Sequence, residues 1–377
     1  MLDGIIDTNL LLTFLRNSNA TNPSLFQGTA GVLWAGVHCP VTRDTLAADE
    51  SLVEDVCSSL LDIAPSLPPT LGSGALGVYM ALDAASVAVG HTDLLREVTD
   101  FEEYLLHEVL QNDISGYGAE LCEGITGIGI FAEYRVKKGS IAAAEISAKV
   151  LGFLAAASEE SASGITWRAK RHDTSGRALI DLGVAHGVGG PILWLSNLLR
   201  REPNNRPCRR LLEDSLKALL NESRHSGDVS TFGYFAGDMA DARLAWCYGD
   251  LGLGWTVLCA GEALGDQEVM NIGLAVLLRA VGRPPSTWGI VDPWLCHGHF
   301  GAAVLLHRAA LATKRSELGG AAKVHFKNGV ISVKEQLERG GGNPSLLEGA
   351  SGAYLAVAEL IGEAKPSAGW LEPLAVY

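Results

Sequence analysis

One short motif, Gly-x-x-Gly, recurs seven times along the chain, at Gly28/Gly31, Gly74/Gly77, Gly124/Gly127, Gly187/Gly190, Gly249/Gly252, Gly298/Gly301 and Gly349/Gly352. Successive first glycines are 46, 50, 63, 62, 49 and 51 residues apart. Recurrence at such an interval marks a repeat architecture, in which each unit is one supersecondary element that buries its apolar face only against its neighbours. One such motif means little in a chain with 44 glycines, but for seven in near-register a repeat is the better reading than coincidence. A regular scaffold then presents the residues just before each pair at one common place. Five of these positions read Cys122-Glu123, Ala185-His186, Cys247-Tyr248, Cys296-His297 and Leu347-Glu348, largely the vocabulary of a metal site.

Apolar runs of helical length follow most of the pairs, over residues 124–134, 187–199, 298–312 and 349–361. Between them lie more polar stretches, such as 100–111 and 209–224, whose apolar residues return every three or four positions as on surface helices. An interval of about 50 residues holds two helices and their loops. Seven such pairs predict an all-α chain with an inner ring of apolar helices wrapped by an outer amphipathic ring, one domain over residues 1–377. The two longest intervals contain residues 161–179 and 226–246, whose Gly, Ser, Asp and aromatic content reads as loops or short β-hairpins at the rim of the site.

With 47% hydrophobic and 19% charged residues the chain can fill a large core. A net charge of −14 argues against a phosphate-binding surface, so no nucleic acid is expected as partner. The first 19 residues carry two aspartates and neither the basic region nor the cleavage site of a signal peptide. No uncharged apolar run reaches the roughly 18 residues of a transmembrane helix. Seven scattered cysteines, an odd number, suit a reduced cytoplasmic protein with thiols available for chemistry.

A catalytic zinc takes three protein ligands and keeps one open position. Cys247, Cys296 and His297 offer two thiolates and an imidazole at equivalent places in the fifth and sixth repeats. His299 competes as a ligand but lies inside its glycine pair. His186 occupies in the fourth repeat the position of His297 in the sixth, and an imidazole beside a Lewis acid is a natural proton donor or acceptor. Glu120 and Glu123 stand before the third pair, where either can orient a histidine, and Glu348 stands before the seventh. Arg243, four residues before Cys247, can stabilise developing negative charge. Read singly, each keeps a plain alternative: a cysteine as a small hydrophobe, a histidine as a helix cap, a carboxylate or arginine as a surface charge.

The sequences VAHGVGG around His186, WCYGDLG around Cys247, LCHGHFG around Cys296 and LLEGASG near the end make the chain resemble the lanthionine synthetase C family of lanthipeptide cyclases. With the seven repeats, the resemblance spans essentially the whole chain. It implies an α/α toroid of seven inner and seven outer helices. It also implies Zn2+ held by Cys247, Cys296 and His297, an acid/base role for His186, and supporting roles for Arg243 and Tyr248. One position departs from the family pattern: Glu120, in GAELCEGITG, stands where an aspartate is usual.

The activity so implied is addition of a peptide cysteine thiolate to dehydroalanine or dehydrobutyrine, closing a thioether ring. Glu120 would act with His186. The implied partners are a dehydrated precursor peptide with its leader, a separate dehydratase and a membrane exporter, with peripheral membrane association through such a complex. The chain resembles the stand-alone cyclases, having no dehydratase region ahead of the cyclase pattern. Two alternatives stand beside this reading. One is a zinc-dependent protein prenyltransferase, which also activates a peptide thiol within a helical toroid. The other is a non-catalytic zinc-bearing scaffold that binds peptide or partner enzymes.

Overall fold

A computed structural model of the chain describes residues 9–17, 22–90, 92–169, 176, 178–224, 229–339, 343–362 and 369–376. Parts of the amino-terminal stretch (1–8 and 18–19) and of the two rim segments (170–175, 177 and 226–228) lie outside the described residues. In chain order the first helices are α1 (Asn9–Arg16), α2 (Thr29–His38), α3 (Pro40–Ala48), α4 (Glu50–Ile63), α5 (Ala75–Val89) and α6 (Thr92–Gln111). Next come α7 (Ile125–Val136), α8 (Ile141–Ala156), α9 (Gly189–Arg201), α10 (Arg206–Asn221) and α11 (Asp250–Leu264). The last are α12 (Gln267–Val281), α13 (His299–Thr313), α14 (Ser316–Glu338) and α15 (Ala350–Ile361). Two three-residue strands, β1 (Glu159–Ser161) and β2 (Gly164–Thr166), pair antiparallel with Glu160 opposite Ile165, a short hairpin that begins just ahead of the first rim segment and overlaps its start. Among the described residues no helix is long and apolar enough to cross a membrane.

Seven helices start at the glycine pairs: α2, α5, α7, α9, α11, α13 and α15. They are apolar all round where their burial is described. Every residue of α2 is buried, as is everything in α15 from Ala350 to Glu359. The intervening helices are amphipathic. On α10 the buried residues Cys208, Leu211, Leu212, Ser215, Leu216 and Leu219 form one stripe at helical spacing.

The two helix classes begin differently. The amphipathic helices α8, α10 and α12 use side-chain caps, from Ser140, Asn205 and Asp266. The apolar helices α2, α5, α7, α9, α11 and α15 have no side-chain cap bond. At α2, α5, α7, α9, α13 and α15 the preceding loop doubles back, and the carbonyl six residues before the first glycine accepts from the amide after that glycine. These bonds run from Thr29 to Asn22 (2.8 Å), Ala75 to Pro68 (2.9 Å), Ile125 to Gly118 (2.7 Å), Val188 to Asp181 (2.9 Å), His299 to Asp292 (3.1 Å) and Ala350 to Asn343 (2.8 Å). One orphan donor of each helix start is thereby satisfied. The loop passes so close that a Cβ on Gly74 would lie 2.1 Å from the Pro68 carbonyl oxygen, and one on Gly77 1.9 Å from that of Leu71. Close approach, rather than a left-handed backbone, demands the glycines here.

The chain forms two compact units, one of Met1–Asn112, Asp292–Val304 and His325–Tyr377, the other of Asp113–Val291 and Leu305–Val324. In the first, α15, α2 and α5 lie side by side, with α1 and α3 against α2 and with α4 and α6 against α5. In the second, α7, α9 and α11 lie side by side; α8 packs on α7, α10 on α9 and α12 on α11, and the hairpin rests on α10. The indole of Trp194 on α9 lies against α7 where a Cβ on Gly129 would be 2.5 Å from its ring.

Two predictions follow from this packing. Gly77→Ala should lower unfolding stability by roughly 3 kcal/mol, because a backbone carbonyl cannot yield to the new methyl. Gly152→Ala, on the open face of α8 with no atom near the new methyl, should instead raise it by up to about 1 kcal/mol, both read from denaturant midpoints. The second prediction concerns His325, which is buried against His299 with the two Nδ1 atoms 3.1 Å apart. Burial, with His299 adding to it, pushes its pKa down to about 4. Unfolded, the imidazole titrates near 6.5, so between these values only the unfolded chain binds the proton. Its contribution to stability is complete above about pH 6.5 and is lost as pH falls towards 4. Replacing His325 by Asn should flatten the fall in denaturant midpoint between pH 7 and 5.

Candidate active site

The residues singled out by the repeat lie on the turns that enter the apolar helices. Each turn opens six residues before the first glycine, and in four repeats that residue is Asn or Asp. Its side-chain oxygen accepts from the amide two residues on: Asn22 from Ser24 (3.2 Å), Asp181 from Gly183 (2.8 Å), Asp292 from Trp294 (2.8 Å) and Asn343 from Ser345 (3.0 Å). This Asx turn mimics a backbone turn and starts the fold-back.

In the second unit the turns before α7, α9 and α11 are hydrogen-bonded to one another. The amides of Leu121 and Cys122 both donate to the Ala185 carbonyl at 3.2 Å, and the Val184 amide donates to Cys247 at 2.8 Å. Glu120 is held by its own turn, Oε1 accepting from the Glu123 amide (2.5 Å) and Oε2 from the Cys122 amide (2.9 Å). Its Oε2 also lies 2.8 Å from His186 Nδ1. A carboxylate at that nitrogen holds the proton on Nδ1 and leaves Nε2 with the lone pair. The longer side chain of glutamate therefore reaches the imidazole without a gap. The pair borders a cavity of about 260 Å³ whose lining includes Gly118, Glu123, Trp167 and Asp181. Cys122 is buried beside them, and burial, then the Glu120 and Glu123 carboxylates and the Cys247 thiol, push its pKa well above the usual thiol range. A thiol so buried among carboxylates is disfavoured as a thiolate.

Cys247 and Tyr248 close the turn before α11, at Gly249, whose φ of +83° is the left-handed region that favours glycine. The Tyr248 hydroxyl donates to Asp181 Oδ2 at 2.6 Å, and its ring lies 5.5 Å from that of Tyr234. Arg243 opens this turn at the register held elsewhere by Asp181 and Asp292. Its amide donates to the Tyr234 hydroxyl at 3.2 Å, and its Cβ lies against Gly289.

In the first unit Cys296 and His297 occupy the turn before α13. The Cys296 amide donates to the Leu347 carbonyl at 2.9 Å. His297 Nε2 lies 3.1 Å from Asp292 Oδ2, so that Nδ1 is the nitrogen left for other use. His299, the competing ligand candidate, is instead 3.1 Å from His325. Glu348 lies in the turn before α15, its amide donating to Ser345 Oγ at 3.2 Å.

Among the described residues two groups of side chains could hold a metal ion: Cys247 with Cys296 and His297, and Glu120 with Cys122 and His186. In the second group the donor atoms lie within 4.8 Å of one another. The first group suits zinc, since two buried thiols and a carboxylate-backed imidazole form a donor set that borderline-soft Zn2+ prefers. In the second, the Glu120 carboxylate already accepts from two amides and meets His186, an arrangement suited to proton handling. Asp181 and Asp292, which grip Tyr248 and His297, went unseen from sequence alone. The signal was present nonetheless: an Asn or Asp six residues before the first glycine in four of the seven repeats.

A family model described as lanthionine synthetase C-like protein matches residues 50–373. Among solved structures the chain is similar to one titled nisin cyclase, with a TM-score of 0.78 and 16% identity, over 100% of this chain and 96% of that one. No curated protein sequence matches. The structural likeness carries the fold, the helical toroid of that cyclase, with inner helices entered at the glycine pairs. The family match spans most of the repeats and every turn that carries candidate chemistry. The chain belongs to the lanthionine synthetase C-like family.

Proposed function

We propose that the whole chain is one zinc-dependent lanthipeptide cyclase domain. In this reading it adds cysteine thiolates of a dehydrated precursor peptide to dehydroalanine or dehydrobutyrine, giving lanthionine or methyllanthionine rings. The observation that carries the reading is the set of two thiols and an imidazole offered by Cys247, Cys296 and His297. Zinc bound there would lower the pKa of the substrate thiol so that it reacts as thiolate. The name of the similar structure, nisin cyclase, supports a peptide as substrate.

The remaining steps belong to side chains of the second unit. As the thiolate sulfur bonds to the alkene β-carbon, the π electrons move to the α-carbon and its carbonyl, giving an enolate. A proton must then reach the α-carbon. His186 is the group we assign, working through Nε2, because Glu120 occupies Nδ1 at 2.8 Å. Glu120 also favours the imidazolium that forms when His186 takes the thiol proton at the start of a turnover. Arg243 supports the developing negative charge, with Tyr248 in a supporting role. A leader-bearing precursor, a separate dehydratase and a membrane exporter complete the set of proposed partners, with the work done in the cytoplasm.

Mass spectrometry of a dehydrated precursor peptide after thiol alkylation tests the reading. Wild-type protein should protect the cysteines from alkylation. Cys247→Ala, Cys296→Ala and His297→Ala should each lose bound zinc and ring formation together. His186→Asn should keep its zinc and lose turnover by about a hundredfold or more. Normal ring formation by zinc-free protein, or loss of zinc in His186→Asn, would refute the assignment. A second expectation concerns Glu120. Aspartate would draw the carboxylate back by about 1.5 Å, one carbon–carbon bond, from Nδ1. Glu120→Asp should therefore slow kcat roughly tenfold in this chain, although the family favours aspartate there. An unchanged kcat would mean that the loop itself adjusts.

A further inference from the structure

Four repeats open their turn with an Asx residue, and the turn itself needs only one side-chain oxygen. Asn22 and Asn343 show that asparagine suffices: each accepts from the amide two residues on, and Asn22 spends its amide nitrogen on the Gln27 carbonyl (3.1 Å). The other two are aspartates, and each has a second carboxylate oxygen to place. Asp181 Oδ2 accepts from the Tyr248 hydroxyl at 2.6 Å, and Asp292 Oδ2 lies 3.1 Å from His297 Nε2. Thus each Asp turns its second oxygen to a candidate site residue, His297 of its own turn or Tyr248 of the next.

We infer that Asp181 and Asp292 are positioning residues, whose first carboxylate oxygen builds the turn while the second sets the orientation and hydrogen placement of Tyr248 and His297. This rests on the cyclase reading for its effect on turnover, though not for the hydrogen bonds. Asp181 is 1% exposed, and a Cβ on Gly183, two residues on, would lie 2.7 Å from the Tyr248 ring, so the phenol is fixed by contact as well as by its bond. With its hydrogen directed into Asp181, which itself lines the cavity beside His186, Tyr248 keeps oxygen lone pairs, not a proton, for any other contact. Tyr248 is then no competitor to His186 as proton donor. Asp292 does the corresponding work on His297: a carboxylate at Nε2 keeps the proton there and makes Nδ1 the ligand nitrogen.

The molecule supplies its own control, because Asp181→Asn and Asp292→Asn preserve the turn-forming oxygen as Asn22 and Asn343 do. Both variants should melt within a few degrees of wild type. In protein labelled with 13Cζ-tyrosine, the resonance that Tyr248→Phe removes should move in Asp181→Asn. That variant should also lose kcat about tenfold with KM and zinc content unchanged, and Tyr248→Phe should lose as much, with no further loss in the double variant. Asp292→Asn should release zinc to a chelator about tenfold faster than wild type. An unmoved Tyr248 resonance, additive losses in the double variant, or an unchanged rate of zinc release would each overturn the inference. If Asp181→Asn does not fold, the aspartate is a turn residue first and the inference fails for it. Wild-type protein that forms no rings would refute the cyclase reading alone, since the tyrosine resonance still decides the role of Asp181.

Discussion

Everything about this chain depends on one close approach, that of a loop carbonyl to the start of each apolar helix. Helix starts leave backbone amides without partners, and an apolar helix buried all round has no water to supply them. Here the preceding turn folds back and its carbonyl meets the amide after the first glycine, as Pro68 does for Ala75 and Asp292 for His299. The contact leaves no room for a side chain at either glycine. Removing the side chain is thus what permits an uncapped, fully buried helix to begin, and doing so seven times sets the period of the whole chain.

The same fold-back explains where the chemistry sits. The common register puts the two positions before each first glycine at the same point of every turn, just ahead of the helix start. Cys247, His186, Glu120, Cys296 and His297 all stand there or within two residues of it. Because the turns before α7, α9 and α11 are hydrogen-bonded to each other, Glu120 and His186 are held by a common backbone frame rather than by their own flexible side chains. Such a frame suits proton transfer, in which small misplacements are costly.

Much of this was legible beforehand. Spacing of the glycine pairs revealed the number of apolar helices and their starts, since close packing leaves an unambiguous residue type behind. The amphipathic helix at 209–224 appeared as α10 because burial of one face imprints a 3.6-residue period. The hairpin of the first long interval was readable from its turn-forming composition. Less legible were pairings across distance. No periodicity says that Tyr248 donates to Asp181, that His299 meets His325 and not the neighbours of His297, or that Glu120 is long enough for His186.

By itself the sequence determined the repeat, the apolar helices, the address of the candidate site and the residue types available there. These follow from local rules: a glycine wherever backbone crowds backbone, an apolar residue wherever a face is buried. Tertiary structure alone decided which donor faces which acceptor. That choice is made between residues some 66 or 67 positions apart, as with Glu120 and His186 or Asp181 and Tyr248. It depends on distances of a few tenths of an ångström, which hydrogen bonding requires and sequence spacing does not encode.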